Sequence, residues 1–133
     1  MIIGLGNDLA DIRRVEKIYT RFGQKFLARV FTKKEQEKCC SAYKPPACYA
    51  KRFAAKEAFA KAVGCGIGEK LGWLDIELIS DEKNKPALLL SEKAKMEIGK
   101  LLPAGYREQI HVSLSDEFPL AQATVIVSAC KIS

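Results

Sequence analysis

The sequence predicts an α+β protein, with helices gathered in its first half and antiparallel strands in its second. Three observations carry that reading. Apolar residues recur at helical spacing from Asp11 to Val63, the period changes to strict alternation at Leu74-Asp75-Ile76-Glu77-Leu78-Ile79, and 133 residues that are 48% hydrophobic supply one core but not two. A single domain spanning residues 1–133 is therefore expected.

Ile2-Ile3-Gly4-Leu5-Gly6 reads as a short strand whose glycines leave its backbone approachable, closed by Asn7-Asp8. Asp11 is suited to cap a helix carrying Ile12, Val15, Ile18, Tyr19 and Phe22 on one face and Arg13, Arg14, Lys17 and Arg21 on the other, with Gly23 as its stop. Thr32-Lys33-Lys34-Glu35 is a capping box, which predicts a second helix to about Ala42. Pro45-Pro46 interrupts the chain and opens a third helix, about Ala47 to Val63, that stops at Gly64. On its wheel Ala54, Ala55, Ala58, Phe59, Ala62 and Val63 share one half, mostly alanine, so another element packs close. Phe53, Lys56, Glu57, Ala60 and Lys61 share the other half.

Leu74 to Ile79 and Ala87 to Leu90 form a hairpin across the polar turn Asp81 to Pro86. Ser91 and Glu92 start a helix with Ala94, Ile98, Leu101 and Leu102 inward, which Pro103-Ala104-Gly105 ends. Ile110 to Leu114 and Ala121 to Ala129 read as two further strands joined through Ser115 to Pro119. There is no internal repeat and no low-complexity segment.

Composition excludes several classes. No apolar run approaches the roughly 18 residues of a membrane span, and the sequence shows neither a basic leader nor a small-residue cleavage site, so a cytoplasmic protein is expected. The cysteines (Cys39, Cys40, Cys48, Cys65, Cys130) are odd in number and form no C-x-x-C pair. Reduced thiols are expected, and their spacing relative to the sole histidine, His111, does not suit structural zinc. Net charge is +6, and residues 1–70 hold 15 Lys/Arg against 7 Asp/Glu, a balance of +8, while residues 71–133 hold 7 against 9, a balance of −2. The basic half suits nucleic acid, an anionic cofactor or an acidic protein, and charge alone does not choose.

Each candidate site residue has a plainer reading beside its chemical one. Glu57 and Lys61, four apart on a helix, suit a surface salt bridge, and Asp8 suits a turn or cap. Equally, one carboxylate from a strand end and another from a helix would suit Mg²⁺, which takes its remaining oxygens from water and substrate phosphate. Gly64-Cys65-Gly66-Ile67-Gly68 trails a helix instead of preceding one, so it lacks the dipole of a phosphate loop and reads as a stop. His111 shares a strand face with Ser113 and Ser115. A structural hydrogen bond is its plain role, and a phosphate contact or proton transfer its chemical one.

Taken together, these stretches resemble the holo-acyl-carrier-protein synthase family, the small bacterial type of 4′-phosphopantetheinyl transferases. Phe53-Ala54-Ala55-Lys56-Glu57-Ala58-Phe59-Ala60-Lys61 is similar to the family signature F/W-x-x-K-E-A/S-x-x-K. Ile3-Gly4-Leu5-Gly6-Asn7-Asp8 resembles its glycine-then-aspartate strand, and His111-Val112-Ser113-Leu114-Ser115 its late histidine strand, in the same order and over the whole chain.

The resemblance implies a curved, mostly antiparallel sheet packed on a long central helix, assembled as a homotrimer with active sites between subunits. It implies transfer of phosphopantetheine from coenzyme A to a serine of apo-acyl carrier protein, in support of fatty acid biosynthesis. Asp8 and Glu57 match the Mg²⁺ ligands, and Lys61 the lysine that meets the coenzyme A phosphates. Arg52 and His111 match positions of the same cleft, and Gly66, Gly68 and Pro86 match segments near the nucleotide. Glu57, a metal-bound water and His111 are all candidates to accept the serine proton. Carrier proteins are acidic, so Arg13, Arg14, Lys17 and Arg21 would steer docking, with the match clearest at Arg14. Asn7 and Asp116 depart from the family pattern. Two rivals remain: a basic nucleic-acid-binding module, for which no aromatic recognition motif is present, and a non-catalytic carrier-binding member of the same fold, which would not need Asp8, Glu57 and Lys61. The expected partners are therefore a carrier protein and coenzyme A, with no nucleic acid and no membrane.

Overall fold

The computed structural model describes residues 1–133. Helix and strand follow one another as β1 (Ile2–Asp11), α1 (Ile12–Phe22), α2 (Gln24–Val30), α3 (Lys33–Cys40), α4 (Pro45–Val63), a 3-10 turn (Trp73–Asp75), β2 (Ile76–Ser80), β3 (Pro86–Leu90), α5 (Glu92–Gly99), β4 (Tyr106–Glu117) and β5 (Leu120–Lys131). All strand pairs are antiparallel, in a three-stranded sheet of order β1-β5-β4 and a two-stranded sheet β2-β3. The long helix α4 packs on the larger sheet through β1 and β5. The α+β expectation holds, and no helix is long and apolar enough to cross a membrane.

Several boundaries move for identifiable reasons. β1 does not close at Asn7-Asp8, because its pairing with β5 continues to Asp11 opposite Leu120. Asp8 therefore lies inside the strand, opposite Ala123. Gly23 does end α1, but its positive φ of 58° turns the chain directly into α2, a helix the sequence pattern did not predict. α4 starts at Pro45, two residues before the expected Ala47, since the proline pair fits a first helical turn. α5 stops at Gly99, which leaves Leu101 exposed outside it. β4 and β5 run longer than predicted and meet across Phe118-Pro119.

The core centres on α4, and it corrects the predicted wheel. Ala54, Ala55, Ala58 and Phe59 are fully buried, but so are Ala60 and Lys56 from the supposed polar half. Burying a phenyl ring such as Phe59 contributes about 2–3 kcal/mol. A buried ammonium needs every donor satisfied. Lys56 Nζ donates to Glu35 Oε1 (2.7 Å), to the Val30 carbonyl (2.7 Å) and to the Trp73 carbonyl (3.0 Å). Burial pushes the Lys56 ammonium below the usual lysine range, and Glu35 opposes that shift.

Glu35 also completes the predicted capping box by accepting from the Thr32 amide (2.9 Å), and its other oxygen accepts from the Leu78 amide (3.0 Å). One ion pair thus ties α2, α3, α4, the 3-10 turn and β2 together. Removing either partner would strand a buried charge, at about 3–5 kcal/mol.

The expectation of five reduced cysteines is overturned. Cys39 and Cys48 form a disulfide between the end of α3 and the start of α4, and Cys40, Cys65 and Cys130 remain free. Contiguous sequence spacing did not reveal a pairing set by the packing of two helices.

Candidate functional site

The site arises where β1 crosses α4. Strand alternation puts Gly4, Gly6, Asp8 and Ala10 on one face. A side chain at Gly4 would strike the Ala62 carbonyl, and one at Gly6 the Ala58 carbonyl. The two glycines therefore let strand backbone lie directly against helix backbone. Asp8, next on that face, is brought to the helix surface that carries Glu57 and Lys61.

Lys61 Nζ contacts Asp8 Oδ1 at 2.9 Å and the Asn7 carbonyl at 3.0 Å. The predicted i, i+4 pair between Glu57 and Lys61 does not form, because the lysine reaches across to the strand instead. No hydrogen bond or ion pair within the chain engages the half-buried Glu57 carboxylate. Burial and then the neighbouring Asp8 charge push the Glu57 carboxyl above the usual carboxylate range, with Lys61 opposing. Two acidic side chains and one lysine thus converge from elements separated by some fifty residues of sequence.

Other predicted residues fall elsewhere. Arg52, one helical turn or more before Glu57, is buried, and burial pushes its guanidinium below the usual arginine range. Its Nη1 donates to the Cys48 carbonyl (3.2 Å) and to Cys48 Sγ (3.1 Å), while its Nε has no partner. Arg52 and Pro86 line one cleft of about 530 Å³ together with Lys44, Lys51 and Asp116. Asp116, noted as a departure in the sequence, pairs there with Lys51 at 3.3 Å. Lys44 and Lys51 were not singled out from sequence, although both belong to the excess of positive charge in residues 1–70.

The amides of Gly66 and Gly68 donate to the carbonyls of Ala60 (3.4 Å) and Leu71 (2.8 Å), so these glycines turn the chain and do not aim amides outward. His111 is exposed on the outer face of the three-stranded sheet, opposite Ile126, which in turn pairs with Leu5. Within one chain the sheet separates His111 from Asp8. On α1, Arg13, Lys17 and Arg21 surround the exposed Phe118. Arg14 instead borders a hollow with Leu9, Ile18, Phe53 and Leu120. Arg13 is held by Asp11 at 2.8 Å, and the other three make no ion pair.

A family model described as the 4′-phosphopantetheinyl transferase superfamily matches residues 4–122, an interval that contains both carboxylates, Lys61 and His111. The chain belongs to this superfamily. Among curated relatives, the holo-(acyl-carrier-protein) synthase of Bartonella quintana is 49% identical over 129 residues, covering 97% of each chain. Among solved structures, the holo-(acyl-carrier-protein) synthase of Neisseria meningitidis matches with a TM-score of 0.85 at 34% identity, covering 96% of this chain and 99% of that one. The Helicobacter pylori holo-(acyl-carrier-protein) synthase, solved in complex with coenzyme A, matches with a TM-score of 0.80 at 33% identity, covering 93% and 99%. The superfamily's antiparallel α+β architecture is thus the architecture of this chain.

Proposed function

We propose that this superfamily member transfers the 4′-phosphopantetheine group of coenzyme A to a serine of apo-acyl carrier protein, releasing adenosine 3′,5′-bisphosphate, in support of fatty acid biosynthesis in the cytoplasm. The observation that carries the proposal is the convergence of Asp8, Glu57 and Lys61 where β1 meets α4. It is supported by near full-length relatedness to holo-(acyl-carrier-protein) synthases.

A carboxylate pair of this kind fits Mg²⁺. Both groups are hard oxygen donors, Asp8 raises the cost of ionising Glu57, and a divalent cation relieves that repulsion. Asp8 and Glu57 would hold the ion, which when bound neutralises pyrophosphate charge. Lys61, half exposed and hinged on Asp8, is placed to swing its ammonium onto a phosphate oxygen and stabilise the departing side. The cleft between Arg52 and Pro86, with Lys44 and Lys51 at its walls, suits the nucleotide end of coenzyme A by charge. Glu57 and His111 are the candidate acceptors of the serine proton, His111 being supplied by a neighbouring subunit of a homotrimer.

One incubation tests the reaction: the protein with coenzyme A, apo carrier protein and Mg²⁺, read by intact mass for a phosphopantetheine adduct on the carrier. Adduct formation that EDTA abolishes is the expected result. No adduct at any Mg²⁺ concentration would overturn the transferase reading and leave the non-catalytic carrier-binding one. Docking is tested separately. Arg14→Glu is expected to raise the KM for the carrier about tenfold while leaving that for coenzyme A within twofold, and equal weakening of both would remove α1 from docking.

A further inference from the structure

The Cys39–Cys48 bond differs from an inert staple in two ways. Cys48 is half buried and lines the Arg52–Pro86 cleft. The Arg52 guanidinium also donates to that sulfur at 3.1 Å. A cation beside a cysteine stabilises the thiolate, which favours both its attack on a disulfide and its departure from one. Meanwhile the buried Nε of Arg52 lacks any partner, so the guanidinium is anchored on its sulfur side alone.

We propose that Cys39 and Cys48 form a reversible thiol–disulfide modification site whose state sets the grip of the adjoining cleft on the anionic nucleotide end of coenzyme A. The assignment of that ligand rests on the transferase reading above. The exchange partner is a low-molecular-weight disulfide. In the oxidising direction the Cys48 thiolate attacks it, forming a mixed disulfide and expelling one small thiolate. Cys39, fully buried beside it, then attacks Cys48 Sγ and expels the second. The two electrons given up by the protein sulfurs reduce the small disulfide to two thiols, which take up the Cys39 proton and one from solvent. Two small thiols reverse the sequence.

The consequence for the cleft has a definite sign. In the dithiol state a Cys48 thiolate neutralises part of the Arg52 charge, and the segment carrying Tyr43 and Lys44 is no longer closed by a covalent link. In the disulfide state the sulfur is neutral, the guanidinium charge is free to act on an anion, and that segment is clamped at both ends. The oxidised form therefore binds the nucleotide more tightly.

The test uses the full chain equilibrated with oxidised glutathione or with dithiothreitol. Thiol titration is expected to find three free thiols in the first case and five in the second, with the far-ultraviolet circular dichroism unchanged. Calorimetric affinity for adenosine 3′,5′-bisphosphate should be about threefold to tenfold higher in the oxidised form, with the KM for coenzyme A moving in parallel and kcat within twofold. Cys48→Ala should abolish the difference, Cys40→Ser should keep it, and Arg52→Lys should shrink it while preserving the thiol counts. Equal nucleotide affinity in the two states, or a thiol count that does not change with treatment, overturns the proposal. Absence of turnover in both states with the affinity difference intact would instead count against the transferase reading alone.

Discussion

No group within the chain holds the Glu57 carboxylate, whereas Asp8 beside it takes Lys61. The Glu57 carboxyl is raised above its ordinary value of 4.5, by burial first and Asp8 second. Its neutral form therefore adds stability at pH below the ordinary carboxylate range, and that contribution is lost as pH rises through the raised value. The fold disfavours the ionised form of Glu57, so wherever that form is present it costs some stability. Glu57→Gln is expected to raise the melting temperature by about 1–3 °C in scanning calorimetry and to cut turnover about a hundredfold or more. A lower melting temperature would mean that contacts hold the carboxylate.

Asp11 shows the opposite sign. The Arg13 side chain holds its carboxyl down, from 3.8 to about 2, while it caps α1 by accepting from the Arg13 amide at 2.9 Å. The stability it lends is complete above 3.8 and lost as pH falls towards about 2. Carbon-detected NMR titration should place the Asp11 midpoint near 2, and Arg13→Ala should return it towards the usual aspartate value.

Between elements, the decisive contact is backbone against backbone. Because a Cβ at Gly6 would overlap the Ala58 carbonyl oxygen, Gly6→Ala must push β1 off α4 and carry Asp8 away from Glu57 with it. The expected cost is about 2–3 kcal/mol in denaturant unfolding, together with loss of Mg²⁺-dependent activity well beyond what the stability change explains. Full activity in a folded Gly6→Ala protein would show that the spacing of strand and helix is not what sets the site.

The same contact shows what the sequence made legible and what it did not. The Thr32–Glu35 capping box, the Asp11 cap and the Gly23 and Gly64 stops follow local rules, and each stands where local rules put it, whereas the β2-β3 hairpin forms with its first strand starting at Ile76 because Leu74 and Asp75 lie in the 3-10 turn. Helix α2 does not show in the pattern, because Gly23 reads equally as an end and as a hinge. A helical wheel puts Lys56 among polar residues, because it cannot foresee that Glu35 and two carbonyls will enclose its ammonium. Helical spacing pairs Lys61 with Glu57, yet Asp8, a partner distant in sequence, takes it. The Cys39–Cys48 bond likewise depends on how α3 meets α4.

Across the molecule, the sheet itself poses the final problem. Asp8 faces α4, whereas His111 on β4 stands on the opposite face of the same sheet, a face that carries Leu5 (65% exposed) and Leu9 (60% exposed) on the far edge strand β1. If both residues serve one reaction, they must come from different chains, and an exposed apolar sheet face is the kind of surface that another copy covers. A closed ring of three such head-to-tail contacts would weigh about 44 kDa, against 14.7 kDa for one chain. It also makes a prediction that no single-chain site can satisfy. Asp8→Ala and His111→Ala proteins, each inactive alone, are mixed in equal amounts under conditions that let subunits exchange. Random assembly pairs a native Asp8 with a native His111 at roughly a quarter of the interfaces, so the mixture should recover about a quarter of wild-type turnover. Leu5→Lys in both parents should prevent the recovery and lower the mass seen by sedimentation. A mixture that stays as inactive as its parents, despite proven exchange, would show that Asp8 and His111 do not meet across an interface and would sink the shared site.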